Sequence, residues 1–190
     1  MAWTKEDKQE WFLQQRVQRS YREEVVTKIE GLKSSFEVVN YGALSLDPDR
    51  YPLFFVRSKS FDPQKKTILV TGGVHGYETS GVHGALSFLA TEGSHYPQFN
   101  LLCFPCISPW GYETVNRWNP LALDPNRNFF ESTQSEESGL FLKALAPFKT
   151  IICAHFDLHE TTDTDNTVFR PALASRDGKE ERFSEIPDGF

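Results

Sequence analysis

The stretch KKTILVTGGVHGYE, residues 65–78, decides the fold. Its first half is an apolar, β-branched run bounded by two lysines and closed by Gly72 and Gly73, the signature of a buried strand that ends in a sharp turn. The stretch from Tyr77 to Leu89 then reads as a helix, and after a polar loop FNLLCFPC (99–106) reads as the next strand. Strand, helix and strand make a βαβ unit, which fixes the two strands as parallel neighbours.

Working outward, FEVVNYGAL (36–44) and YPLFFVRS (51–58) are short β-rich runs separated by the turn-prone LDPDR (46–50), so they form a hairpin. On the other side, residues 107–135 make a long, turn-rich connection containing SPWGYETVNRWNPLALDPNRNFF. A connection of that length is not a routine link and is expected to build a site. A helix from Glu136 to Leu145 and a second buried strand, TIICAHFDLH (150–159), complete the pattern. Alternation of strands and helices predicts an α/β protein: a mixed, largely parallel central sheet flanked by helices, with ligands gathered beyond the carboxyl ends of the strands.

Before this core, Val17, Tyr21, Val25, Ile29 and Leu32 recur at helical spacing. Residues 1–35 therefore read as an N-terminal helix packed on the domain's own sheet, and Thr4 followed by Asp7 as its capping box. A partner helix or membrane helix is the disfavoured reading, because the polar face mixes both charge signs.

Composition narrows the function. With 190 residues the chain is expected to be one domain. A net charge of −6 and no basic stripe exclude a phosphate-neutralising nucleic-acid binder. No run approaches the length needed to span a bilayer, and the start MAWTKEDKQEWF has no apolar signal core, so a cytoplasmic protein is expected. Cys103, Cys106 and Cys153 cannot all pair. The C-x-x-C of CFPC is expected to be inert, since residues three apart on a strand face opposite ways.

The chemistry lies in GGVHGYE and DLH. His75 and Glu78 are three residues apart where a strand gives way to a helix, which lets both face one point. His159, at the carboxyl end of the later strand, supplies a third ligand. A His, Glu and His set leaves tetrahedral zinc one open position for water, the arrangement of a catalytic site. Asp157, two residues earlier on the same face, is placed either to orient His159 or to serve as a buried structural acid. His155 is expected to be a core histidine, His83 to be turned away from the metal, and His95 to be a loop residue. Trp110, Tyr112 and Trp118 either line a pocket or pack the long connection.

HGYE, DPNRNFF and DLHE, in that order, resemble the HxxE, NRN and strand-end histidine motifs of the zinc-carboxypeptidase superfamily. GGVHGYETSG and DLHETT are also similar to its aspartoacylase and succinylglutamate desuccinylase branch. The resemblance covers roughly residues 36–163. It implies a phosphorylase/hydrolase-like fold and a zinc-dependent hydrolase, with one Zn²⁺ held by His75, Glu78 and His159, that cuts an amide bond next to a free carboxylate. Asn126 and Arg127 would bind that carboxylate through charge-assisted hydrogen bonds, and Arg117 would polarise the scissile carbonyl.

The family's general base is a glutamate on a late strand, yet only 31 residues follow His159. Glu180, Glu181 and Glu185 lie in the loop-like SRDGKEERFSEIPDGF, and Glu160 neighbours a ligand and so faces the other way. The resemblance therefore implies a catalytic domain lacking its C-terminal strands, with the base unassigned. The expected substrate is a small peptide or cell-wall peptide, with N-acyl amino acids and a silent zinc-binding module left open as alternatives. No nucleic-acid or membrane partner is expected, and the sequence sets no oligomeric state.

Overall fold

The computed structural model describes residues 3–160. A five-stranded sheet organises them, built from β1 (Phe36–Ala43), β2 (Pro52–Ser58), β3 (Thr67–Gly72), β4 (Asn100–Phe104) and β5 (Ile152–Leu158). The spatial order is β1-β2-β4-β3-β5. β1 and β2 form the antiparallel hairpin, β2 runs antiparallel to β4, and β4, β3 and β5 are mutually parallel. The expected mixed α/β sheet is therefore present, with the βαβ unit at its centre.

Alternation along β3 and β4 splits the core into two apolar layers. Val70, Leu101 and Cys103 face Tyr21, Val25, Val26, Ile29 and Leu86, whereas Leu69, Leu102 and Phe104 face Phe141 and Phe148. The first layer is covered by α3 (Thr79–Thr91) and the N-terminal segment, and the second by α5 (Glu136–Leu145). Between β4 and α5 the long connection folds into a short helix, α4 (Pro109–Thr114), and a 3₁₀ turn, Pro125–Arg127.

Three expectations are corrected. The N-terminal region is two helical pieces rather than one: α1 (Lys5–Gln14) ends at the extended Gln15, and a new start follows at Tyr21. The second piece is a π-helical turn, Arg22–Val26, continuing into α2 (Thr27–Gly31). The break is chemical: the Ser20 hydroxyl accepts from the Glu23 amide while the Glu24 carboxylate accepts from the Ser20 amide, a fresh helix start. Val17 consequently lies in the break and is exposed, whereas Tyr21, Val25, Ile29 and Leu32 are buried. The capping box of Thr4 and Asp7 is present.

Second, among the described residues β5 is not buried. Among the described residues it is the sheet's edge, and Phe156 is 56 % exposed. Third, Cys103 and Cys106 do not diverge to opposite layers; both belong to the layer under α3, because β4 ends at Phe104 and strand alternation stops there. Burial pushes both thiols up, away from the reactive thiolate, so the inert reading of CFPC stands. Among the described residues no helix is long and apolar enough to cross a membrane.

Candidate metal centre

The parallel pair β3 and β5 delivers the candidate ligands to one place, because Gly72 is in register with Leu158 and both chains leave the sheet at the same end. After β3 the chain turns at Gly73, whose φ of +59° favours glycine. His75 follows, and its carbonyl accepts from the Glu78 amide at 3.1 Å, closing the turn that brings the two side chains to one side. Gly76 makes the turn possible in another way. A Cβ there would lie 2.0 Å from Gly111 C and Tyr112 N, so α4 packs backbone to backbone against this loop.

Within this frame His75 Nδ1 lies 2.8 Å from Glu78 Oε1, and His159 Nδ1 lies 2.7 Å from Glu78 Oε2. One donor atom from each of His75, Glu78 and His159 lies within 4.8 Å of the other two. The far nitrogens are also engaged: His75 Nε2 with Asp124 Oδ1 at 3.0 Å, and His159 Nε2 with Asp157 Oδ2 at 2.9 Å. Asp157 is itself fixed by the Thr71 hydroxyl, which donates to its Oδ1 at 2.6 Å across the β3–β5 pair. A carboxylate on each Nε2 would favour the tautomer that leaves Nδ1 free for a metal at the common point, the usual support for a histidine that ligates one.

The donor set fits a divalent cation. Ligands of tetrahedral zinc with bonds of about 2.0–2.1 Å stand about 3.3 Å apart. The hydrogen-bonded separations here would need to open by only about half an ångström. Electrostatics agree with this. Hydrogen bonds to Asp157 and then Glu78 push His159 up to about 10, despite burial. Burial works against the charge on Glu78, but hydrogen bonds from His159 and His75 hold it down at about 2. Asp124 and Asp157 are likewise held low by their histidines against the cost of burial. The cluster therefore keeps three carboxylates ionised around two imidazoles, which suits a cation at the centre.

Arg117, on the long connection, is paired with Asp124. Its Nε and Nη2 donate to Asp124 Oδ2 at 3.1 and 3.0 Å, which ties it through Asp124 to His75. Asn126 and Arg127 sit on the 3₁₀ turn beyond Asp124, whose Oδ1 accepts from the Asn126 amide at 2.9 Å. Asn126 is half-buried and Arg127 exposed, and neither side chain hydrogen-bonds to His75, Glu78 or His159. Glu160 accepts from the amide and hydroxyl of Ser80 in the first turn of α3, so its carboxylate is a helix cap. Glu180, Glu181 and Glu185 lie outside the described residues.

The sequence reading missed Asp124 as the partner of His75. Its signal was available, since Asp124 opens the DPNRN run. Tyr77, whose ring stacks on His75 at 6.1 Å, was also missed and carries no distinctive sequence signal. Trp110 and Tyr112 are buried, so they pack the connection instead of lining a pocket. His155 is exposed and shares the Thr71 hydroxyl with Asp157, in place of the core position expected of it.

No protein-family model and no curated protein sequence matches this chain. Solved structures do match in fold. The "putative metallopeptidase" of Shewanella amazonensis SB2B is similar at 25 % identity and a TM-score of 0.59, over 71 % of this chain and 52 % of its own. Bovine thrombin-activatable fibrinolysis inhibitor, solved with tick carboxypeptidase inhibitor, is similar at 16 % identity and a TM-score of 0.60, over 80 % of this chain and 63 % of its own. Carboxypeptidase A of Helicoverpa armigera is similar at 16 % identity and a TM-score of 0.58, over 77 % of this chain and 46 % of its own. The fold is thus carboxypeptidase-like, as the motifs implied, and carries a His–Glu–His candidate metal site. The chain spans about half the length of the Shewanella structure.

Proposed function

We propose that this chain carries the zinc centre of a hydrolase that cuts an amide bond next to a free carboxylate, removing C-terminal residues from peptides. The observation that carries this reading is the doubly supported ligand set: His75 and His159 each present Nδ1 toward Glu78 while a carboxylate holds the opposite nitrogen. A bound zinc supplies a Lewis acid and a water acidified toward neutral pH. Asp124 and Asp157 hold the imidazoles in the ligating tautomer. Arg117, steadied by Asp124, offers its remaining N–H groups to an oxygen that gains negative charge as the carbonyl is attacked. Arg127, exposed one turn from Asp124, supplies the fork for the substrate carboxylate, with Asn126 beside it. No described carboxylate is assigned as base, since Asp124, Asp157 and Glu160 are each committed to another partner.

The test is metal content after purification without chelator, for the native sequence, His75→Ala and His159→Ala, followed by assay on C-terminal peptides and N-acyl amino acids. About one zinc per chain, lost in both variants, with peptide turnover, is the expected result. Turnover of N-acetyl or N-succinyl amino acids alone would reassign the substrate to the deacylase class. Zinc without turnover would leave a binding module, and a folded protein without zinc would overturn the reading.

A further inference from the structure

All four tryptophans of the chain gather in one place, at the start of the loop that carries Arg117. Trp118, the next residue, packs against Trp3 at 5.6 Å and Trp11 at 5.8 Å between ring centroids, both edge to face. Trp11 also meets Trp110 at 5.8 Å, and Phe12 stacks on the same ring at 5.7 Å. Edge-to-face and offset-stacked rings at these separations attract beyond their buried area.

Polar contacts follow the same line. Gln15 accepts from the Asn116 side chain at 2.9 Å, Gln18 donates to the Thr114 carbonyl at 3.1 Å, and the Gln18 amide donates to the Glu113 carbonyl at 2.8 Å. The N-terminal arm, residues 3–19, thus grips residues 110–118 along their length. Yet α1 contributes no fully buried residue to the core.

The gripped segment holds a strained residue. Val115 has φ +57°, a left-handed conformation that a β-branched side chain adopts at a cost, and it lies two residues before Arg117. Such a turn persists only where surrounding contacts over-determine it. Within the turn the Asn116 amide donates to the Gly111 carbonyl at 2.8 Å and its side chain to Thr114, and the Tyr77 amide donates to the Asn116 carbonyl at 3.2 Å. The contacts from outside the connection that add to these are Gln15 on Asn116 and the rings packed on Trp110 and Trp118.

We infer that α1 is an aromatic clamp that holds the Val115 turn and so sets the position of Arg117, which makes Trp11 and Trp118 positioning residues of the site. The role of Arg117 rests on the proposed function; the clamp itself does not.

The test is Trp11→Ala, with Trp11→Phe as the conservative control, read in two ways. Hydrogen exchange of residues 115–124, and of Tyr77 whose amide donates to the Asn116 carbonyl, should rise about tenfold in Trp11→Ala while that of residues 67–72 stays unchanged. In the zinc-loaded protein, affinity for N-acetyl-L-phenylalanine, whose acetyl carbonyl is the group Arg117 would meet, should fall about tenfold or more at unchanged zinc content, with Trp11→Phe recovering most of it. Val115→Gly, which relaxes the turn, should shrink the exchange effect of Trp11→Ala. Unchanged exchange in 115–124 overturns the clamp. So does an equal rise in residues 67–72 with loss of zinc, because α1 would then merely stabilise the whole domain. Failure of the native protein to bind zinc or the probe would sink the proposed function, while the exchange arm would still decide the clamp. Should Trp11→Ala not fold, Trp3→Ala tests the same contact to Trp118 through a ring that is 46 % exposed.

Discussion

Two histidine networks meet the Gly76–Gly111 contact, one through His75 beside Gly76 and the other through Tyr112 beside Gly111, and they are tuned in opposite directions. At the strand ends, His75 and His159 have carboxylates on both nitrogens, and among the described residues Arg117, paired with Asp124, is the one Lys or Arg that forms an ion pair with the three acids Glu78, Asp124 and Asp157. Behind α4, His83 Nδ1 faces the Lys28 ammonium at 3.3 Å and its Nε2 faces the Tyr112 hydroxyl at 3.0 Å. That hydroxyl donates to Glu24 at 2.7 Å, and the Arg19 guanidinium lies 5.0 Å over the Tyr112 ring. The first network pushes an imidazole up to about 10, and the second lowers one. A histidine by itself says little; an excess of acids around it marks a cation site, and a cation beside it marks a structural joint.

The largest effect should come from breaking the seam between the two networks. A Cβ at Gly76 meets backbone atoms of Gly111 and Tyr112, which cannot swing aside as a side chain can. Gly76→Ala is expected to cost at least about 3 kcal/mol of stability by overpacking. It should abolish metal uptake as well, because His75 is the preceding residue. Urea unfolding and metal content measure the two losses. A variant of native stability that still binds metal would show that the loop and α4 are not rigidly joined.

Breaking only the acidic side should be milder. Asp157→Asn keeps the shape of the carboxylate but not its charge, and is expected to weaken metal affinity about 10–100-fold. Competition with a chromophoric chelator reads this, and stability near His83 should be untouched. Equal affinity in Asp157→Asn would mean that Asp157 serves Thr71 alone. On the other side, Tyr112→Phe removes the hydroxyl shared by Glu24 and His83 and should cost about 1 kcal/mol of stability with metal affinity unchanged. A loss of metal in Tyr112→Phe would couple the two networks and dissolve the contrast.

The acidic network was far more legible in the sequence than the other. HGYE and DLH declare themselves because strand ends are local: two residues of spacing and one register match suffice to bring their ligands together. Asp124 is 49 residues from His75, and no periodicity links them; only the fold shows that the turn before Asn126 returns to the strand end. The joint at His83 draws on α2, α3 and α4 at once, so nothing in any one segment announces it. The same limit applies to β5, whose apolar run reads as a central strand: burial depends on which strands pair beside it, and among the described residues it pairs with β3 alone. The break after Gln14 was readable, since Ser20 and Glu23 have capping-box spacing, but a continuous helical period through Val17 concealed it.

The smallest effect tests the sign of the cationic joint. Burial and the neighbouring Lys28 lower the His83 pKa below its ordinary 6.5, with Glu24 opposing and Arg19 assisting. The unfolded chain therefore takes up the proton first as pH falls. The stability that neutral His83 contributes is fully present above about 6.5 and is lost as pH drops through the lower folded value. His83→Gln removes the titration, so its melting temperature should fall less than that of the native protein between pH 7.5 and 5.5. Because His83 is only half-buried, the difference should be under about 2 °C. The comparison of slopes matters more than either curve, since every other group titrates in both proteins. A native protein that gained stability relative to His83→Gln on acidification would mean that Glu24 outweighs Lys28 and Arg19. The joint would then be an acidic network like the one at the strand ends, and the contrast between the two histidine environments would fail.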